Sequence, residues 1–229
     1  MAFLVIEGLD GSGKSTQVKL LRKYLEDKGR KHRYIHFPRT ESGVFGELIS
    51  MFLRGDLGKI DAVNPYLVAL LYAADRNDAK AAMLEWLSEG DLLVADRYVV
   101  SNIAFQCAKM ESVEEKKQLA SWIHHLEYTH FGIPRPDLNI FLDVPFGFTR
   151  DKLSRNRSGI ERGYLKGKSD IHESDLEFQN RVRQVYTEQA QSDQSVRLVK
   201  CYDDKMEMLR PGRIFEKVME LLKSENILC

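Results

Sequence analysis

A glycine-rich segment near the start of the chain restricts both the fold and the chemistry that this sequence supports. Residues 8–15 read Gly-Leu-Asp-Gly-Ser-Gly-Lys-Ser and match the pattern G-x-x-x-x-G-K-[ST]. The apolar run at residues 2–6 predicts a buried strand before the segment, and Val18, Leu21 and Leu25 recur at helical spacing after it. A loop between a strand and a helix directs backbone N–H groups and the positive helix end at a phosphate group. The sequence therefore predicts an α/β protein with a phosphate-binding loop.

The residue types in this loop suit a nucleoside triphosphate and its metal ion. Glycines let the backbone wrap an anion without clashes from a Cβ atom. We expect Lys14 to reach the β- and γ-phosphates and the Ser15 hydroxyl to bind Mg²⁺. A chance match on a glycine-rich turn is the alternative, and the strand before the loop and the helix after it argue against it. The residues expected to contact ATP are Gly8, Leu9, Asp10, Gly11, Ser12, Gly13, Lys14, Ser15 and Thr16.

Strand and helix patterns alternate along the rest of the chain. Short apolar runs predict further strands at residues 33–37, 92–95, 138–142 and 196–199. Segments with helical spacing lie between or after them, at residues 43–53, 64–87 and 175–189 and around Trp122 and Ile214. Strands that alternate with helices predict a parallel sheet that is covered on both faces.

The long helix predicted at residues 64–87 begins at an Asn-Pro pair, which is a helix-start signal. Its apolar residues predict a buried face made of Leu67, Leu70, Leu71 and Ala74. The strand that follows ends at Asp96, and an acidic residue in that place supports Mg²⁺ in enzymes with such a loop. The alternative role for Asp96 is to cap the next helix. We expect Ser15 and Asp96 at the metal site.

Composition argues against several classes of protein. Lysine plus arginine equals aspartate plus glutamate at 34 each, so no overall charge attracts nucleic acid or an anionic membrane. Cys107, Cys201 and Cys229 lack the close spacing of a disulfide framework or a zinc site. No apolar run approaches the length of a membrane span, and the start of the chain lacks a signal-peptide pattern. We therefore expect a cytoplasmic protein with no nucleic-acid or membrane partner.

Four segments, taken in order, resemble the thymidylate kinase family of nucleoside monophosphate kinases. They are the loop at residues 8–15, Phe37-Pro38-Arg39, Asp96-Arg97-Tyr98, and the polar basic stretch at residues 155–172. The resemblance covers residues 1–229 and implies a single P-loop domain with a five-stranded parallel sheet, flanking helices and a mobile lid at about residues 155–172. It also implies ATP with Mg²⁺ as phosphoryl donor, dTMP as acceptor, dTDP as product, and a homodimer.

The resemblance assigns phosphate-binding and sugar-binding roles to several residues. Asp10 matches a carboxylate near the 3′-hydroxyl of the acceptor, although an ordinary loop aspartate is the alternative. Arg39, which follows Phe37 in the same acceptor-binding motif, matches an arginine that holds the acceptor phosphate. Arg97 matches a second phosphate arginine, and a guanidinium group suits this role because it donates to two oxygens at once. With Lys14, these two arginines are the expected catalytic residues of the cleft.

The resemblance also predicts how the acceptor base is recognised. Tyr72 and Arg76 lie four residues apart, project on one side of a helix, and match residues that stack on thymine and hydrogen-bond to its O4 edge. An aromatic core residue and a solvated arginine are the alternative. Ser101 and Gln106 match residues that contact the base. Phe105 stands where an aromatic ring excludes a ribose 2′-hydroxyl, and it lacks the hydroxyl of the tyrosine that is common there.

The basic stretch predicts a second source of positive charge. The phosphate loop contains no arginine, so cations for the transferring phosphoryl group must come from elsewhere in the chain. Arg155, Arg157 and Arg162 are the candidates, and they resemble the arginines of the bacterial form of the family, whose lid closes over ATP. A solvated surface loop is the alternative. His172 and Glu173 border this stretch and receive no role from the sequence.

Two other functions remain open at this point. A kinase for another nucleotide or for a nucleoside would need base contacts different from those of Tyr72, Arg76 and Gln106. A nucleotide-dependent switch of the GTPase type would carry an Asn-Lys-x-Asp signature, which the sequence lacks. Such a switch also has no use for acceptor-phosphate arginines.

Overall fold

The computed structural model describes residues 2–60, 62–145, 147–149, 160–168 and 170–228. The strands are β1 (Ala2–Gly8), β2 (His32–His36), β3 (Leu92–Asp96), β4 (Leu138–Asp143) and β5 (Val196–Lys200). The main helices are α1 (Lys14–Asp27), α2 (Gly43–Leu53), α3 (Pro65–Ser88), α4 (Val99–Cys107), α5 (Val113–His124), α6 (Ile171–Ser174), α7 (Leu176–Ser192) and α8 (Pro211–Ser224). The predicted alternation of strands and helices is confirmed.

The strands form one five-stranded parallel sheet in the order β2-β3-β1-β4-β5. The central strand β1 pairs with β3 through residues 2–6 and with β4 through residues 4–8. Because all strands run the same way, their carboxyl ends meet at one edge of the sheet. In open α/β sheets ligands bind at that edge, where the chain leaves neighbouring strands toward opposite faces. The segment at residues 8–15 lies there, directly after β1.

The two faces of β1 belong to two different halves of the core. Phe3 and Val5 pack in a cluster with residues of α3, α4 and α7, whereas Leu4 and Ile6 pack in a cluster with residues of α1 and α8. Successive side chains of a strand point to opposite faces, so a strand with helices on both sides needs apolar residues at every position. This requirement explains the continuous apolar run at the start of the chain. Because β1 is packed on both faces, the phosphate loop that follows it starts from a rigid strand.

Helix α1 follows the sequence prediction closely. Val18, Leu21 and Leu25 are buried against the sheet, as their spacing predicts. Gly29 follows the helix with a φ of 63°, a left-handed conformation that glycine adopts at little cost and that ends a helix. The loop and α1 therefore form one strand-loop-helix unit specified by local sequence.

The prediction for the buried face of α3 is wrong for two residues. Leu67 and Leu70 are 59% and 39% exposed, and the buried stripe runs instead through Val68, Ala69 and Ala73 and continues to Arg76. Hydrophobic spacing misplaced this face because α3 turns charged residues toward the ligand-binding edge of the sheet. A prediction that counts only apolar residues therefore assigns the wrong face of the helix to the core.

Helix α4 had no clear sequence signal. Every residue of α4 is buried, so the helix has no exposed polar face and shows no amphipathic period. Helix α5 continues into a π-helix at His125–His130, and Glu127 within it is fully buried. Among the described residues, no helix is both long and apolar enough to cross a membrane.

The predicted lid is described only in part. Ile160–Leu165 forms a 3₁₀-helix and α6 follows it, so this part of the stretch is helical where the sequence predicted a loop. Residues 150–159 lie outside the described residues, and the predicted arginines Arg155 and Arg157 fall there. The side chain of Arg162 is also not described.

Candidate active site

A cleft of about 760 Å³ lies at the carboxyl edge of the sheet, a volume suited to a small-molecule ligand. Its lining runs from the phosphate loop, through the ends of β2 and β3, to α3, α4 and α6. One end is lined by Lys14 and Ser15, and the other by Tyr72, Arg76 and Gln106. The predicted loop residues and the predicted acceptor residues thus share one continuous space.

The phosphate loop depends on glycines at defined positions. Gly11 and Gly13 have φ angles of 76° and 90°, which other residues rarely adopt. A Cβ atom on Gly8 would approach Ser12 Oγ to 2.6 Å, so a side chain there would displace the loop. The Ser12 hydroxyl is buried and has no hydrogen-bond partner among the described residues. These features give an anion cradle with a donor available inside it.

Lys14 lies buried at the first position of α1. Its Nζ donates to the carbonyl oxygens of Gly8 and Leu9 at 3.1 and 2.9 Å. Burial and the positive charge of Arg97 lower the pKa of Lys14 to about 8. Burial and Arg97 therefore destabilise the charged form of the Lys14 ammonium group, and a bound phosphate anion would stabilise it.

Asp96 and Ser15 fit a hard divalent cation. Asp96 is buried, its Oδ2 lies 3.4 Å from His36 Nδ1, and its Oδ1 has no partner among the described residues. Burial raises the pKa of Asp96, but His36 and Lys14 outweigh this and hold the pKa below its usual range. An anionic oxygen and a serine hydroxyl at the same cleft are ligands that suit Mg²⁺. The described residues contain no cluster of three or more His, Cys, Asp or Glu side chains able to hold a metal ion.

Arg97 occupies an unusual backbone conformation at the end of β3. Its φ is 68°, a left-handed value that costs a non-glycine residue free energy and is typical of functional sites. Its Nη2 donates to Asp10 Oδ1 at 2.7 Å and its Nη1 donates to Ser101 Oγ at 3.1 Å. Burial acts to raise the pKa of Asp10, but the charges of Arg97 and Lys14 hold that pKa well below its usual range.

Arg39 is held at the side of the cleft by two carboxylates of α3. Its Nε donates to Asp75 Oδ1 at 2.9 Å and its Nη2 donates to Asp78 Oδ2 at 2.6 Å. Asp75 is buried, and its other oxygen accepts from the backbone N–H of Arg39 at 2.9 Å. Phe37, two residues earlier, is buried in the core and also lines the cleft. These contacts orient the guanidinium group before a ligand arrives.

Glu7 forms a buried network beneath the cleft that the sequence analysis did not identify. It accepts from the Ser101 hydroxyl at 2.5 Å, from the Tyr186 hydroxyl at 2.9 Å and from the backbone N–H of Tyr98 at 2.9 Å. Burial raises the pKa of Glu7, partly offset by its hydrogen bonds to Ser101 and Tyr186 and by the charge of Arg97. Ser101, predicted to contact the base, lines the cleft with a hydroxyl already engaged in this network.

The base end of the cleft presents two unpartnered polar atoms. Within the described residues, Asn102 Oδ1 and Gln106 Nε2 are buried and have no hydrogen-bond partner. Asn102 and Gln106 lie four residues apart on α4 and both line the cleft, as do Tyr72 and Arg76 on α3. Gln106 was predicted, whereas Asn102 was missed although it directly follows the predicted Ser101. The base end of the cleft thus carries one acceptor, Asn102 Oδ1, and one donor, Gln106 Nε2, that a ligand could pair with.

Aromatic rings enclose the region between the two ends. Phe105 packs against His172, with ring centroids 5.1 Å apart, and against Phe178 at 6.0 Å. The Arg97 guanidinium lies over the Phe105 ring, with its central carbon 4.9 Å from the ring centroid. His172 also contacts Phe52 at 5.4 Å. Phe105 is therefore fixed as a rigid wall of the cleft.

Two residues of α6 and its start face this region and were given no role from the sequence. Burial and the charge of Lys109 lower the pKa of His172 well below its usual range, so its ring is neutral. Burial and the charges of Asp10 and Glu173 raise the pKa of Asp170 to about 7. Both residues lie in a polar stretch without apolar periodicity, so the sequence did not predict that they are buried.

Comparison with known proteins agrees with this geometry. A family model described as thymidylate kinase matches residues 6–208. The thymidylate kinase of Mycobacterium tuberculosis is 33% identical over 188 residues, which are 82% of this chain and 85% of the relative. A probable thymidylate kinase of Pyrococcus abyssi is 31% identical over 225 residues, or 97% of this chain and 96% of the relative. A solved structure of Candida albicans thymidylate kinase has a TM-score of 0.72 at 25% identity, covering 98% of this chain and 92% of that chain. This chain belongs to the thymidylate kinase family.

Proposed function

We propose that this protein transfers the γ-phosphoryl group of ATP to the 5′-phosphate of dTMP and releases dTDP and ADP. Membership of the family makes it an ATP-dependent nucleoside monophosphate kinase. The observation that carries the assignment is the shared cleft, in which the phosphate loop faces Arg39 and Arg97 across one space. A triphosphate on the loop then directs its terminal group at a second bound phosphate.

Catalysis here requires positioning and charge neutralisation, because the acceptor phosphate oxygen is already an anion. The loop amides and Lys14 bind the donor phosphates. Arg39, which Asp75 and Asp78 orient at the side of the cleft, holds the acceptor phosphate. Arg97, which pairs with Asp10 and lines the cleft, stabilises charge that develops between donor and acceptor.

Magnesium is the expected metal, held by Ser15 and Asp96. When bound, Mg²⁺ supplies positive charge to the donor phosphates. Asp96 is suited to this role because it is buried and anionic, with one oxygen free of partners among the described residues. Ser15 is exposed at the cleft on the first turn of α1, beside the site of the phosphates.

The unpartnered atoms of α4 support recognition of thymine. Thymine carries an N3–H donor between two carbonyl acceptors. Asn102 Oδ1 is available to accept from that N–H, and Gln106 Nε2 is available to donate to a carbonyl. Tyr72 supplies an aromatic face in the same cleft, and we expect the ring of Phe105 to exclude a ribose 2′-hydroxyl. Cytosine, whose N3 is an acceptor, would face Asn102 Oδ1 without a hydrogen bond.

An acceptor panel tests the function. With ATP and Mg²⁺, we expect dTMP to give kcat/KM at least about a hundredfold above dCMP, AMP and GMP, because buried polar groups left unpaired reject the wrong base. ADP release in a coupled assay measures this for each acceptor. The solved structure of the Candida albicans enzyme is reported to reveal the origin of its broad substrate specificity. The panel therefore also includes dUMP and dGMP. Equal turnover of all acceptors, or ATP hydrolysis without an acceptor, would contradict the assignment.

The lid remains a prediction from the sequence, with Arg155 and Arg157 as the cations that close over ATP. A cytoplasmic location and a single domain over residues 1–229 also remain predictions. For the described part of the chain, the 3₁₀-helix at Ile160–Leu165 and α6 bring Tyr164 and Asp170 to the cleft. We expect a lid next to this part of the cleft to exclude water during transfer.

We also propose that the protein is a homodimer and that α3 forms the contact. Leu67, Leu70 and Leu84 are 59%, 39% and 43% exposed, and helical spacing places them on one side of α3. Apolar side chains grouped on one surface stripe favour contact with another protein surface. A second copy of the chain is the occupant that the family implies.

Replacing Leu67 and Leu70 together by glutamate should convert the dimer to a monomer, because like charges would face each other across a desolvated contact. Light scattering after size-exclusion chromatography measures the mass. Met206→Glu is the matched control, since Met206 is 52% exposed on the loop that follows β5. A wild-type protein of monomer mass at about 50 μM, or a double variant that stays dimeric, would rule out this interface.

A further inference from the structure

The carboxylate of Glu127 lies directly behind the base end of the cleft. It is fully buried in the π-helix and stands one layer behind the residues that line the cleft. Oε1 accepts from Arg76 Nη2 at 2.7 Å and from Asn102 Nδ2 at 2.9 Å, and Oε2 accepts from Arg76 Nε. One buried group therefore contacts two side chains that line the proposed base site.

These contacts determine which way the Asn102 amide points. A primary amide has two N–H donors and one carbonyl acceptor. Asn102 Nδ2 donates one hydrogen to Glu127 Oε1 and the other to the carbonyl oxygen of Ala69 at 3.0 Å. Turning the amide over would place its oxygen against two acceptors. The oxygen therefore lies on the side of the amide away from these two acceptors. It is buried and unpartnered among the described residues, and Asn102 lines the cleft.

We propose that Glu127 is a positioning residue that sets the hydrogen-bonding polarity of the base site, so that Asn102 presents an acceptor and the site selects a base with an N–H opposite it. This inference rests on the proposed function, in which the base is thymine. Glu127 also holds the Arg76 guanidinium in one orientation beside Asn102. It does not touch the acceptor; it acts through these two side chains.

A purely structural role predicts a different outcome. If Glu127 only balanced the buried charge of Arg76, its loss would lower stability and reduce activity with every acceptor to the same degree. The positioning role predicts a change in the ratio of kcat/KM for dTMP to kcat/KM for dCMP. Thymine has N3–H where cytosine has a bare N3, so this ratio reports the polarity of the Asn102 amide.

The primary test is Glu127→Gln. The introduced amide has only one acceptor oxygen, so it presents an N–H either to Arg76 or to Asn102. When that N–H faces Asn102, the Asn102 amide keeps only the Ala69 carbonyl as an acceptor and its orientation is no longer set by two contacts. We expect the dTMP to dCMP ratio to fall at least about tenfold relative to wild type. Asp143→Asn is the matched control, because Asp143 is likewise buried and accepts two hydrogen bonds from Arg183, at 2.6 and 3.0 Å. Its ratio should equal that of wild type.

A reciprocal exchange keeps the test decisive if Glu127→Gln is too unstable to assay. Asn102→Asp alone places a carboxylate against Glu127 and should reduce kcat/KM for dTMP at least about a hundredfold. Adding Glu127→Gln returns the donor to the other side of the contact and restores an acceptor facing the base. We expect the double variant to regain at least about fivefold over Asn102→Asp.

The outcomes separate this inference from the proposed function. Absence of dTMP turnover in the wild-type protein would remove the proposed function. Normal wild-type turnover combined with an unchanged dTMP to dCMP ratio in Glu127→Gln would overturn the positioning role. A double variant no more active than Asn102→Asp would overturn it as well.

Discussion

Replacing Lys14 by alanine should reduce kcat at least about a thousandfold while the fold stays intact. Lys14 Nζ donates hydrogen bonds to the backbone carbonyls of Gly8 and Leu9, at 3.1 and 2.9 Å, and is expected to reach the β- and γ-phosphates. Its lowered pKa means that burial of the charge costs the folded state up to about 3 kcal/mol at neutral pH. We therefore expect a melting temperature equal to or above that of wild type, measured by circular dichroism alongside the kinetics.

Lys23→Ala is the control for this prediction. Lys23 lies on the same helix, is exposed and pairs with Asp27 at 3.0 Å. Exposed pairs of this kind contribute only a few tenths of a kcal/mol, so both activity and stability should stay near wild type. Retention of more than a tenth of wild-type kcat in Lys14→Ala would contradict the role assigned to Lys14 and, with it, the position of the donor phosphates.

Arg97→Met should lower kcat by about a thousandfold, with a smaller effect on the KM for dTMP. An arginine that stabilises charge during phosphoryl transfer contributes about 10³- to 10⁵-fold to the rate. Arg97 is held for this role by Asp10 and Ser101 and by a strained backbone with a φ of 68°. A protein maintains such strain where the surrounding contacts fix it. Steady-state kinetics with dTMP varied at saturating ATP would separate kcat from KM.

The control for Arg97 is Arg197→Met. Arg197 lies on β5 and pairs with Glu225 at 2.7 Å, and both side chains are about one-third exposed. Loss of that pair should leave kcat within about twofold of wild type. If Arg97→Met instead raised KM and left kcat unchanged, Arg97 would bind the acceptor equally in ground state and transition state, and its catalytic role would be wrong.

The two ends of the cleft differ in how they are encoded. The phosphate loop is contiguous, and its function follows from backbone conformation that glycines at fixed spacing permit. The base end is assembled from α3, α4 and the π-helix, and its main contact joins Arg76 to Glu127 across 51 residues. Spacing within one helix predicts that Tyr72 and Arg76 share a face, but gives no information on what stands behind that face.

Most of the acceptor-site predictions came from the resemblance, and the structure shows which side chains hydrogen-bond to the predicted residues. Arg39 and Arg97 line the cleft as expected. Arg39 is oriented by Asp75 and Asp78, which the sequence did not single out, whereas Arg97 is oriented by Asp10, which it did. Ser101 was assigned to the base, whereas its hydroxyl hydrogen-bonds to Glu7 and Tyr186. The neighbouring Asn102 carries an acceptor oxygen that has no partner in the described part of the chain. A shift of one residue on a helix turns a side chain by about 100°. Only packing decides which neighbour reaches the ligand.

The sequence by itself determined the α/β class, the phosphate loop and the helix that follows it, because these depend on apolar periodicity and glycine spacing within short segments. Tertiary structure decided which face of α3 is buried and that Glu7 and Glu127 become buried acceptors. It also decided that Asn102 and Gln106 each keep one polar atom without a partner among the described residues. The physical reason is that backbone conformation is largely local, whereas burial and hydrogen-bond pairing depend on segments that meet only in the folded chain.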